Sequence, residues 1–305
     1  MKTLIGIVTF GNLEFTKLTV AAIRETTKSP MELAIVVGKP DDNETAAWLD
    51  QEGITAIRHS SNKGFPASIN DLYDWAWNLA PVFDNLIVCG NDVIPYPDAI
   101  EALIREADSS EWEWICSSQF DAQSLVNRYP EARMYFEGPE LRFTDFTARP
   151  WELHSDVWPY GIDPNSIKDV RNLTLFKRSV FEKIGYADVN FWPGGYFEDN
   201  DYCRRAMLKG VLACGLHHSA YFHFWSRTIN QGPHATDGSR HARFQRNDTF
   251  YRTKWGGPFG QEVYAFPFGG KAFPLSPSVA LNGEIKIGDR EIEGQIIEHW
   301  ASQMP

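Results

Sequence analysis

Four consecutive residues, Glu198-Asp199-Asn200-Asp201, carry three carboxylates between the aromatic pair Tyr196-Phe197 and the cations Arg204 and Arg205. Carboxylates held that close raise one another's affinity for a proton, so one of them can accept a proton near neutral pH. That is the chemistry of a general base, and a base needs a group to deprotonate. Another acid, Asp92, stands in Cys89-Gly90-Asn91-Asp92-Val93-Ile94-Pro95, just after the apolar run Leu86-Ile87-Val88. With diphosphate oxygens and water, one carboxylate at a strand end can hold Mg2+ or Mn2+. A strand-end Asp also serves as an N-cap or turn residue. His223, in Tyr221-Phe222-His223-Phe224-Trp225-Ser226, closes a late strand-like segment and is either a structural residue or a ligand. In Asn62-Lys63-Gly64-Phe65-Pro66, Gly64 permits an unusual backbone turn and Lys63 can face an anion, while Asn70 falls on the helix that follows.

The elements that position these groups follow from periodicity. Leu4 to Phe10, Leu33 to Val37, Ile54 to Arg58 and Leu86 to Cys89 read as buried strands. Helical spacing runs over Glu14 to Thr26, Thr45 to Glu52, Pro66 to Leu79 and Pro97 to Ala107. This alternation predicts a mostly parallel sheet with helices on both faces, and ligands in such sheets bind beyond the carboxyl ends of the strands. The loops that matter are therefore Phe10-Gly11-Asn12, Gly38 to Asn43, Ser60 to Phe65 and Gly90-Asn91-Asp92. A Gly-x-Gly-x-x-Gly after the first strand is absent, as is a P-loop, which argues against a dinucleotide dehydrogenase and a nucleotide triphosphatase. Residues 117 to 170 are rich in aromatics, prolines and charges and read as long loops and short elements over the sheet's open end. A strand at Asn172 to Phe176, a helix through Ile184, a helix at Tyr202 to Gly210 and a strand within Leu212 to Phe222 come next. Gly256 to Pro277 reads as an extended wrap, and Asp289 to Ser302 as an amphipathic helix weakened by Gly294.

A chain of 305 residues with 43% hydrophobic residues holds one large or two modest domains with a sizeable core. No apolar run reaches the roughly 18 residues of a membrane span, and the first residues read as a core strand, so the expectation is a cytoplasmic protein. Cys89, Cys116, Cys203 and Cys214 form no Cys-x-x-Cys pair and read as buried thiols. The net charge of −11 disfavours nonspecific nucleic-acid binding. Between Ser226 and Trp255 six basic residues meet two acidic ones, so that stretch is +4 and the remainder −15. A basic stretch in an acidic chain suggests a bound anion such as a diphosphate, or an ordinary solvated face.

The motifs, taken in order, resemble a family-2-type inverting glycosyltransferase with the GT-A fold, closest to its rhamnosyltransferase-like branch. The resemblance rests on Asn62-Lys63-Gly64-Phe65, Gly90-Asn91-Asp92, Asn172 to Arg178, Ile184-Gly185-Tyr186, Phe197 to Asp201 with Arg204, and His223, and covers roughly residues 1 to 255. It implies a nucleotide-sugar-binding half over 1–116, an acceptor-binding and catalytic half over 117–255 and a C-terminal extension over 256–305. It implies donor contacts at Thr9, Phe10, Asn12, Lys63, Gly64, Asn70, Asn91, Asp92 and Lys254, with Asp92 and His223 on Mn2+ or Mg2+. Asp199 matches the family's base, with Glu198 beside it. Trp192, Gly194, Gly195 and Asp201 would meet the acceptor, and Lys254-Trp255-Gly256-Gly257 resembles a recurring late motif of that branch. Two departures stand out: Gly90-Asn91-Asp92 has one acid where many relatives have more, and Gly38-Lys39-Pro40-Asp41-Asp42-Asn43 leaves the nucleobase contact open.

The implied reaction moves a sugar from a nucleotide-diphosphate donor to a hydroxyl acceptor. A divalent cation and a basic side chain would stabilise the leaving diphosphate, and a carboxylate would take the hydroxyl proton. Trp151, Trp158 and Trp192 offer flat faces for a carbohydrate acceptor, or simply pack. A modified base in DNA is the alternative acceptor, favoured by the basic stretch and opposed by the net charge. A non-catalytic module that binds a sugar nucleotide or glycan is a further alternative. Which of Glu198, Asp199 and Asp201 reaches the acceptor stays open.

Overall fold

The computed structural model describes residues 2–79, 83–120, 126–127, 136–137, 142–143, 162–163, 172–191, 196–224 and 239–270. In chain order the elements are β1 (Thr3–Thr9), α1 (Leu13–Thr26), β2 (Met31–Val37), α2 (Asn43–Glu52), β3 (Thr55–Arg58) and α3 (Gly64–Tyr73), which runs on as a π-helical turn over Asp74–Leu79. Next come β4 (Asn85–Gly90), β5 (Val93–Pro95), α4 (Ala99–Ser109), β6 (Trp114–Phe120), and the short β7 (Phe136–Glu137), β8 (Arg142–Phe143) and β9 (Ile162–Asp163). The chain continues with β10 (Thr174–Lys177), α5 (Arg178–Ile184), α6 (Glu198–Leu208), β11 (Ala213–His223) and α7 (Ser239–Trp255).

One sheet has the order β3-β2-β1-β4-β10-β6-β11-β5, with β9 paired to β11; β7 and β8 form a separate hairpin-like pair. β1, β2, β3 and β4 are parallel, and β11 is parallel to β6. β10 is antiparallel to both β4 and β6, and β5 and β9 are antiparallel to β11. The sheet is therefore mixed, which corrects the expectation of a mostly parallel, Rossmann-like sheet. The reason lies in the chain path. β6 ends at the carboxyl edge shared with β4, and after the short β9 on β11 the chain re-enters the sheet at Thr174, opposite Val88 near that same edge. A strand that starts there can only run back down. The sheet also joins 1–116 to 117–255, since β10 lies directly between β4 and β6.

Strand alternation explains why both faces are covered. Ile5, Ile7, Ile35, Val37, Ile87, Cys89 and Ile115 point to one face and pack against Val20 and Ile23 of α1, Leu49 of α2 and Leu103 of α4. Leu4, Ala34, Val36, Leu86, Val88, Trp114 and Cys116 point to the other, against Leu72 and Tyr73 of α3, Val180 of α5 and Tyr202 and Ala206 of α6. Gly6 is glycine because a Cβ there would stand 2.6 Å from Leu72 Cδ1. All four cysteines are buried and free, as expected.

The first four strands and their helices fall close to their expected ranges. The elements that the periodicity does not locate include β6, whose apolar run merges with the aperiodic region after it, the three-residue β5, the short β7, β8 and β9, and α7, whose residues stand out only as a basic stretch. The acidic helix also begins earlier than expected, at Glu198 instead of Tyr202, so the carboxylates lie in its first turn. Among the described residues no helix is long and apolar enough to cross a membrane. The expected helix over Asp289 to Ser302 and Met1 lie outside the described residues, as does the wrap beyond Gly270.

Candidate functional site

The carboxyl edge of the sheet gathers the ends of β1, β2, β3, β4 and β11, and the register of β5 on β11 builds its central pair. His223 lies opposite Val93, so the residue before Val93, Asp92, comes beside the histidine ring. Asp92 Oδ1 is 3.3 Å from His223 Nε2, and the Phe224 N–H donates to the Asp92 carbonyl at 3.1 Å. Both side chains are largely enclosed, at 14% and 9% exposure. Asn172, which enters the edge ahead of β10, brings its Nδ2 to 3.4 Å from His223 Nε2 and 3.5 Å from Nδ1. Glycine keeps the space beneath them open, since a Cβ on Gly90 would sit 3.3 Å from both Asn172 Oδ1 and Asp92 Oδ1, which would have to give by a few tenths of an ångström. Asn172 was read only as part of a strand. Its place beside His223 depends on the antiparallel insertion of β10, which leaves no local signal.

Thr9 and Asn91 are brought together, but inside the protein. Asn91 Nδ2 donates to Thr9 Oγ1 at 3.1 Å, to the Gly11 carbonyl at 3.1 Å and to Thr16 Oγ1 at 3.2 Å. The Asn91 carbonyl accepts from Thr19 Oγ1 at 2.8 Å. These bonds lock the end of β4 to the β1–α1 turn and set where Asp92 begins. Asn70 is likewise spent: its amide donates to and accepts from the Ala187 backbone at 2.9 and 2.8 Å. Phe10 is half-buried near Gly38, Asn12 is exposed with a φ of 60°, and Lys63 is exposed ahead of Gly64, whose φ is 84°. Of the expected donor contacts at this edge, these loop residues and Asp92 keep surface that a ligand could touch.

The acidic turn is built differently. Tyr196 and Phe197 both take positive φ, 121° and 69°, a conformation that costs about 1–3 kcal/mol for a non-glycine residue. The buried Asn247 of α7 holds it by donating to the Tyr196 carbonyl at 3.0 Å, and the Phe197 ring packs on Tyr251 at 5.6 Å. The Tyr196 N–H donates to Glu198 Oε2 at 2.5 Å. Burial and the neighbouring Asp199 charge push the Glu198 carboxyl up to about 8. Asp199 Oδ1 accepts from the Asn200 N–H at 2.8 Å.

Asp201 and Lys254 correct the sequence reading. Both are enclosed, at 0% and 2% side-chain exposure, and pair with each other at 2.7 Å. Lys254 Nζ also bonds Asp188 Oδ2 at 2.5 Å, Arg205 Nε donates to Asp201 Oδ2 at 3.0 Å, and Trp255 Nε1 donates to Asp201 Oδ1 at 2.9 Å. Arg205 further donates to the Ile184 and Tyr186 carbonyls at 2.5 and 2.8 Å. Two acids and two bases thus cancel in the interior and tie α6 to α7. Neither Asp201 nor Lys254 has surface to offer an acceptor or donor.

Part of the basic stretch is engaged as well: Arg252 forms a half-exposed pair with Asp248 of its own helix at 2.7 Å, and Arg246 donates to the Asn190 backbone carbonyl at 3.1 Å. Trp192, Gly194 and Gly195, expected at the acceptor, lie outside the described residues, as do Trp151 and Trp158. The edge pair and the acidic turn remain two separate groups: among the described residues no cluster of three or more His, Cys, Asp or Glu could hold a metal. No protein-family model matches the chain, and a search of curated proteins finds no match either.

Proposed function

We propose that the chain is an inverting glycosyltransferase of GT-A type that moves a sugar from a nucleotide-diphosphate donor to a carbohydrate hydroxyl. The observation that carries this reading is the Asp92–His223 pair at the carboxyl edge of the sheet, 3.3 Å apart and contributed by two different strand ends. An oxygen and a nitrogen donor suit Mn2+ or Mg2+, and two protein ligands leave such an ion open to diphosphate oxygens and water. The residues fit a cation that arrives with the donor. Asp92 and His223 would hold it, and when bound it neutralises charge on the departing diphosphate.

The remaining chemistry belongs to the acidic turn. Asp199 takes the acceptor hydroxyl's proton while that oxygen bonds to the anomeric carbon. The bond from that carbon to the diphosphate breaks, the electron pair leaves with the phosphate oxygen, and in-line displacement inverts the centre. Burial and the Asp199 charge push the Glu198 carboxyl up to about 8, so the pair holds a proton near neutral pH, and Asp199, the residue that matches the family's base, is assigned as the acceptor of the hydroxyl proton. A carbohydrate acceptor is favoured over DNA because the net charge is −11 and Lys254, expected to face an anion, is buried against Asp188 and Asp201. Four buried free thiols suit a reducing, cytoplasmic setting.

The test pairs Asp199→Ala with a panel of nucleotide sugars and Mn2+. Donor binding, read as a rise in Tm, should persist, while transfer to carbohydrate acceptors falls by about 10²- to 10⁴-fold. Retained turnover removes Asp199 as the base. A wild-type chain whose Tm responds to none of the nucleotide sugars refutes the whole reading.

A further inference from the structure

The face of α7 that grips the acidic turn extends beyond it. Phe244, Asn247, Tyr251 and Trp255 recur every three or four residues and form one stripe. Trp255 bonds Asp201, Tyr251 packs on Phe197 and Asn247 holds the Tyr196 carbonyl. Phe244, one turn further toward the amino end, is 44% exposed. Its ring lies 5.5 Å from Tyr196 and 5.2 Å from Phe197, so it is fixed in place on one side and open on the other. Tyr196 is also the residue whose N–H bonds Glu198. An exposed aromatic ring of α7 therefore packs on the same strained, clamped turn that carries the pair of carboxylates.

That combination matches the chemistry of a neutral sugar. A pyranose has a face of polarised C–H bonds that sits well on the electron-rich face of an aromatic ring, and a rim of hydroxyls that donate to carboxylates. A nucleotide or phosphorylated ligand fits poorly there, because its phosphates would meet Glu198 and Asp199. We infer that Phe244, buttressed by Tyr196 and Phe197, is the platform on which the acceptor pyranose stacks while its hydroxyl reaches the acidic turn. This rests on the glycosyltransferase reading and adds to it a specific acceptor contact, on a helix the sequence reading passed over.

The experiment uses saturation-transfer NMR on the full chain with a panel of neutral methyl hexopyranosides. Ring C–H protons of at least one sugar should receive saturation from wild type. Phe244→Leu, which keeps the bulk packed on the turn, should weaken that sugar's binding by about tenfold, and Phe244→Tyr should stay within about twofold of wild type. The Tm of both variants serves as the fold control. Equal binding by Phe244→Leu and wild type, or no binding of any sugar by wild type, overturns the platform. Donor binding is read apart from this: loss of every nucleotide-sugar Tm response sinks the glycosyltransferase reading, whereas an intact donor response with sugar binding indifferent to Phe244 sinks the platform alone.

Discussion

Replacing Glu198 with Gln should make the protein more stable at alkaline pH and leave it nearly unchanged in acid. In the native state burial and the Asp199 charge raise this carboxyl from its ordinary 4.5 to about 8. Below pH 4.5 the group is protonated whether the chain is folded or not, and it contributes no pH dependence. Between 4.5 and about 8 the unfolded chain ionises while the native one keeps its proton, so stability falls as pH rises, and above about 8 the loss is complete. Taken at face value the span corresponds to about 4–5 kcal/mol. Glu198 is only partly buried and shares its proton with Asp199, which reduces the expected effect to about 2 kcal/mol. Gln keeps an oxygen for the Tyr196 N–H and removes the charge. At pH 9 the variant should unfold about 4–6 °C above wild type, and at pH 4.5 within about 1 °C of it. Thermal unfolding followed by circular dichroism across pH 4.5 to 9 reads both. A variant that tracks wild type at every pH, or gains the same amount at pH 4.5 as at pH 9, refutes the assignment of a raised Glu198.

The buried ion cluster should be unforgiving of a single loss. Lys254→Met removes the cation paired with Asp188 and leaves Asp201 with Arg205 and Trp255, and should cost about 3–5 kcal/mol in urea unfolding, whereas a cost under about 1 kcal/mol would show that the cluster does not hold the two helices. Burial raises the proton affinity of Asp188, but the Lys254 charge and hydrogen bond outweigh it and leave the carboxyl below its ordinary 3.8. Wild type should therefore lose stability as pH falls below that value, and acid titration of Lys254→Met should show a weaker decline. Within the sheet core, Gly6→Ala should cost about 1–3 kcal/mol, because the new Cβ meets the buried Leu72. Combined with Leu72→Ala, the two losses should sum to less than their separate values in denaturant unfolding, and strict additivity would mean that the clash is relieved elsewhere.

Much of the frame was legible before any coordinates. The first four strands are short β-branched runs closed by glycine or polar turns, and their helices have clear apolar stripes, so local patterning alone located them. β6 was lost because Trp114 to Phe120 leads straight into an aromatic, aperiodic region. α7 was lost because its stripe of Phe244, Asn247, Tyr251 and Trp255 mixes a buried amide with aromatics among many charges, which blurs any amphipathic pattern. The direction of β10 has no local signal, since it depends on where the chain re-enters the sheet after β9.

By itself the sequence determined which residue types stand at the strand ends and that three carboxylates crowd one helix start. Glu198, Asp199 and Asp201 are equivalent in that reading, and so are Lys63 and Lys254 as cations for an anion. Only the tertiary structure separated them. Asp201 is drawn inside by Trp255, 54 residues away, and Lys254 reaches Asp188 across 66 residues. The β5–β11 register, not proximity in sequence, sets Asp92 against His223. Burial and pairing across such separations decide whether a charged group faces a ligand or another side chain, and no local pattern encodes them.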